Sequence, residues 1–70
     1  MTDIETQWVA IEPGTIVLPT TKFRITYGYP FMSFRLTWGD HPMGLYIRLI
    51  DAQERAKVKL QELITMGIEP

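Results

Sequence analysis

The sequence contains no cysteine, so no disulfide staples the fold and no thiolate zinc site can form. Stability must come from helix and sheet packing alone, roughly 3 to 5 kcal/mol for a chain of this size. No apolar run approaches the ~20 residues that cross a bilayer as a helix. The first residues, Met1 to Glu5, are acidic where a secretory leader would be basic, which predicts a cytoplasmic protein with no membrane partner. An excess of one charge is missing too: seven Lys and Arg stand against eight Asp and Glu, a net charge of −1. That balance gives no bulk attraction to nucleic acid or to an anionic surface, so any such binding needs a local cluster. Histidine occurs once, at His41, within Gly39-Asp40-His41-Pro42. A zinc site needs three or four ligands at fixed spacing and an acid–base pair needs a cleft, so His41 reads as a turn residue. Gly28, Gly39 and Gly44 lie in separate turns, with no Gly-rich phosphate loop and no Ser–His–Asp order. These absences predict no enzyme activity and no cofactor.

What is present points to one folded unit. Hydrophobic residues make up 46 % and charged residues 21 % of 70 residues, ordinary globular usage in a chain too short to divide between two cores. Residues 1–70 therefore form a single domain. Trp8, Val9 and Ile11 suggest a first strand within residues 5–11, stopped by the turn dipeptide Pro13-Gly14. Thr15 to Leu18 is a second short apolar run, an edge strand or an extended connection, ended by Pro19. Lys22 to Tyr27 alternates strictly, with Phe23, Ile25 and Tyr27 on one face and Lys22, Arg24 and Thr26 on the other. After Gly28-Tyr29-Pro30 the alternation resumes over residues 31–38, placing Met32, Phe34, Leu36 and Trp38 inward and Phe31, Ser33, Arg35 and Thr37 outward. Gly39 to Gly44 reads as a second turn. Leu45, Ile47 and Leu49 then point inward and Tyr46, Arg48 and Ile50 outward, as a further strand.

The helix carries the clearest local signals. Asp51 and Glu54 resemble a capping box, and the apolar positions that follow repeat at helical spacing. Ala52, Ala56, Leu60, Leu63, Ile64 and Met66 fall on one side, while Glu54, Arg55, Val58 and Glu62 point away. Gly67 fits a left-handed C′ position with Ile68 at C″, the pattern of a Schellman ending. The predicted architecture is α+β: a meander of three to four antiparallel strands with one C-terminal helix, over about residues 52–66, packed on one face.

With one sheet face under the helix, the other gathers Lys22, Arg24, Arg35 and Arg48 from three strands. Thr26, Ser33, Thr37, Tyr46 and Phe31 lie nearby. Four cations with interspersed hydroxyls can bind phosphates or an acidic protein patch, and Tyr46 and Phe31 offer anchoring area. The same face reads as ordinary solvated surface if Asp3, Glu5 or Glu12 neutralises it. Trp8, Tyr29 and Phe31 near the turns either form an exposed aromatic patch or close the ends of a thin core. Val58, on the polar side of the helix, is a single exposed apolar residue of a kind every surface carries.

The stretch from Gly44 to Leu63 runs from a strand straight into a helix with Ala52 and Ala56 inward. It resembles the ending of small phage-encoded accessory proteins of sheet-plus-helix type, and also of the arm-type DNA-binding domains of tyrosine recombinases. The first resemblance implies a non-enzymatic module that docks a partner protein through its open sheet face. The second implies DNA contact by Lys22, Arg24, Arg35 and Arg48 in the major groove. The acidic balance of the chain ranks protein docking first and DNA or RNA second. Self-association through the same face or a strand edge would also relieve a thin core.

Overall fold

A computed structural model describes residues 7–28 and 32–70. Five strands and one helix follow in chain order: β1 (Val9–Glu12), β2 (Thr15–Val17), β3 (Phe23–Gly28), β4 (Ser33–Trp38), β5 (His41–Tyr46) and α1 (Leu49–Met66). The strands form one antiparallel meander in the order β1-β2-β3-β4-β5. Fold class, strand direction and the C-terminal helix are as expected; the strand count is five rather than three to four.

Turn chemistry sets the register. Pro13 and Gly14 link β1 to β2 with Gly14 at φ +83°, the left-handed third position that a type II turn requires. A Cβ there would also lie 3.2 Å from the carbonyl oxygen of Tyr27, so glycine serves both backbone and space. Ile11 is an extra residue in β1, because Ala10 faces Ile16 while Glu12 already faces Thr15. Between β2 and β3 the Thr21 hydroxyl donates to the Leu18 carbonyl at 2.7 Å and accepts from the Phe23 amide at 3.1 Å. Pro19, expected to mark an edge strand, sits in that turn, and β1 outside it is the edge.

The hairpin of β4 and β5 departs most from the sequence reading. Trp38 faces His41, so the turn is only Gly39-Asp40, with Gly39 at φ +60° as a type II′ turn demands. His41 consequently starts a strand instead of sitting in a turn. Pro42 is tolerated because β5 is an edge strand. Leu36 faces Gly44 while Thr37 faces Pro42, which leaves Met43 as a bulge and shifts the alternation beyond it by one residue. Leu45 and Ile47, read as inward, are exposed at 55 % and 86 %, and Tyr46, read as outward, packs on the core side.

The supposed third strand of residues 45–50 is cut short because Leu49 and Ile50 belong to the helix. Arg48 is the N-cap, with extended backbone (φ −114°, ψ 140°) and no side-chain cap. Asp51, read as the cap, lies in the first helical turn and pairs with Arg48 instead, at 3.0 and 3.1 Å. At the other end Gly67 (φ +76°) donates to Ile64 and Ile68 donates to Leu63, the two bonds of a Schellman motif.

The core joins Leu18, Phe23, Ile25 and Leu36 of the sheet region to Ala52, Ala56, Leu60 and Leu63 of the helix. Two alanines leave the helix backbone close to the strands. Ile64 and Met66, expected on the buried side, are exposed, for they flank that stripe in the helix's last turn. The helix lies over β4 and β5, so β1 stays exposed along its whole length. After the helix the chain folds back, and the Pro70 carbonyl accepts hydrogen bonds from the Lys22 amide at 2.9 Å and from the Trp38 indole.

Candidate binding surface

Paired residues on neighbouring strands share a face, so the register reads out the side of the sheet turned away from the helix. One row runs Val9, Val17, Arg24, Thr37, Pro42 from β1 to β5. The next runs Glu12, Thr15, Thr26, Arg35, Leu45. Arg24 and Arg35 are therefore diagonal neighbours on the two strands nearest the centre. Both are exposed, and among the described residues neither forms an ion pair. Glu12 shares their face, two strands from Arg24 and three from Arg35, and forms no ion pair with either; Asp3 and Glu5 lie outside the described residues. Thr26 and Thr37 surround the pair with hydroxyls, and Thr15 beside them is buried. Exposed Val9 and Leu45 border the face on opposite edges, and Ile47 follows just past the end of β5.

Of the residues singled out from sequence, the fold unites Arg24 and Arg35 and disperses the others. Lys22 precedes β3, and its ammonium lies 5.2 Å from the ring centroid of Trp38, whose register places it on the helix side of the sheet. Arg48 caps the helix; the hydrogen bond it donates to Asp51 and then that residue's charge raise its pKa above the ordinary guanidinium value. Tyr46 packs against the core, its hydroxyl 3.5 Å from the Met43 carbonyl. The bulge at Met43 accounts for Tyr46, and early helix initiation accounts for Arg48. Phe31 and Tyr29 lie outside the described residues, while Trp8 is half-buried against the core. Thus two of the four expected cations share the open face.

Two further surfaces were not legible in the sequence. Beside the start of the helix, a groove of about 410 Å³ is lined by Ala10, Ile11, Ile16, Ile25, Tyr27, Phe34 and Leu49 together with the β1–β2 turn. Tyr27 and Phe34 pack there as a tilted pair, with ring centroids 4.7 Å apart and 47° between their planes. Strand counting is the signal that finds it: a helix ~10 Å wide covers about two strands of a sheet ~19 Å across. At the opposite end Trp38 stacks on His41 at 5.7 Å beneath Lys22, around a shallow recess that Gly39 and Asp40 complete. Among the described residues no helix is long and apolar enough to cross a membrane. Comparison with protein families, with curated proteins and with solved structures finds no match to this chain.

Proposed function

We propose that this chain is a small non-enzymatic binding module that docks a partner protein through the open face of its sheet and acts by occluding the surface it covers. One observation carries this reading: two arginines without a partner among the described residues stand at the centre of the sheet face turned away from the helix, with exposed Val9 and Leu45 at its edges. Arginine beside apolar contact area is the composition enriched at protein interfaces. A standard interface takes about 800 Å² from each partner. From a total accessible surface of 5027 Å² that is a large share. Such a role matches the small phage-type accessory or inhibitor proteins that the ending of the chain resembles, working in the cytoplasm.

A nucleic-acid module is the competing reading. Two arginines on the face, rather than four cations, supply a salt slope of only about −1.8 on duplex DNA, and Glu12 opposes it. Photo-crosslinking separates the two. A benzophenone amino acid replacing Thr26, in the middle of the face, is expected to capture protein in a lysate of the source organism, whereas one replacing Glu54 on the outer side of the helix captures none. Capture from position 54 alone, or of nucleic acid alone from position 26, ends the proposal.

A further inference from the structure

Resting on that reading, the register of the sheet also specifies what the partner presents. Val17, Arg24, Arg35 and Leu45 lie on four successive strands and form an oblique line across the open face, apolar at both ends and cationic in the middle. Adjacent strands are ~4.8 Å apart and the line shifts by two residues along them, so it spans about 16 Å. From this we infer that the open face takes an amphipathic helix of a partner protein, with two carboxylates between two apolar anchors.

The length of a helix matches that line. Positions i, i+4, i+7 and i+11 share one helix face and span about 16.5 Å at 1.5 Å per residue. The middle two stand about 4.5 Å apart along the axis, within reach of two long arginine side chains whose backbones lie about 8 Å apart on the diagonal. A segment lying on side chains, away from a strand edge, finds no ladder for its own amides, and a helix satisfies them internally. Charge selects the carboxylates. Neither arginine forms an ion pair among the described residues, and an acidic pair opposite them makes charge-assisted hydrogen bonds. A second copy of this chain is the wrong occupant, because face-to-face packing sets arginine against arginine.

The test uses the full chain and two synthetic helical peptides of 18 residues with Leu at i and i+11. One carries Glu at i+4 and i+7, the other Lys. In a titration followed by amide chemical shifts, the Glu peptide is expected to perturb β2 to β5, with binding at least tenfold tighter than that of the Lys peptide. The double variant Arg24→Glu/Arg35→Glu should reverse that preference while keeping its circular dichroism. Equal binding of the two peptides, or shifts confined to the helix or to the groove beside it, overturns the inference. So does a dimer closed through this face in light scattering. If the Glu peptide fails while a crosslinker at position 26 still captures protein, the docking face stands and the acidic helix falls; if both fail, the two readings fall together.

Discussion

Backbone conformation at single residues decides where this chain stores strain and where it tolerates change. Thr20 holds φ +64°, the left-handed third position of the Leu18–Thr21 turn, where a β-branched side chain is an outlier. Thr20→Gly is therefore expected to stabilise the protein by about 1 kcal/mol, once glycine's larger unfolded-state entropy is set against the relieved strain. Chemical denaturation checks this; an unchanged midpoint would show that the turn carries no strain. Gly14 behaves in the opposite sense. With φ +83° and a Tyr27 carbonyl 3.2 Å from any added Cβ, Gly14→Ala should cost about 2 kcal/mol. Leu36 is fully buried at the middle of the core, and Leu36→Ala should cost about 3 kcal/mol by leaving a cavity that a thin two-layer fold cannot close around. In a protein with roughly 3 to 5 kcal/mol to lose, that variant keeps at most about 2 kcal/mol.

Elements begin and end where competing local signals resolve. Asp51 and Glu54 have the spacing of a capping box, yet the helix starts at Leu49, since winding that residue into the first turn lets it pack beside the core. The cost is an N-cap with no acceptor. Arg48→Ser would supply one and is expected to raise the melting temperature, with about 1 kcal/mol from the cap. The lost ion pair with Asp51 subtracts little, because both side chains are solvent-exposed and water and salt screen them. A lower melting temperature would mean that the Arg48–Asp51 pair, rather than backbone geometry, fixes the helix start. The Schellman ending was legible because Gly67 satisfies a single, local requirement. By contrast, the bulge at Met43 has no local signature: a proline and a glycine flank it, as they flank many turns, and alternation counted without it assigns Leu45, Tyr46 and Ile47 to the wrong sides. Arg24 and Arg35 escaped that error because β3 and β4 pair without interruption from Phe23 to Gly28.

At the scale of the molecule, a helix over one half of a five-stranded sheet leaves the other half to hold itself. Every residue of β1 is exposed, whereas β3 and β4 supply Phe23, Ile25 and Leu36 to the core. Hydrogen exchange should therefore be graded along the sheet, with amides of β1 opening far below the global unfolding energy and those of β3, β4 and the helix from Ala56 to Leu63 exchanging only near it. Uniform protection across all five strands would show that the β1–β2 hairpin is locked by more than its own ladder. The tail contributes to the cooperative part. Its Pro70 carbonyl takes bonds from Lys22 and Trp38, tying the end of the helix segment to the β3–β4 end of the sheet.

Period-two alternation, one helical stripe and the glycines of the Pro13-Gly14 and Gly39-Asp40 turns determined an antiparallel sheet followed by a helix, because each of these rules acts between residues close in sequence. Which side chains share the open face was decided only in three dimensions. A one-residue bulge reverses a strand's faces, and a helix can cover no more strands than its width allows; both constraints come from neighbours distant in the chain. The two arginines that remain together do so because their strands pair in unbroken register, while Lys22 and Arg48 sit beyond strand ends, where aromatic and carboxylate partners claim them.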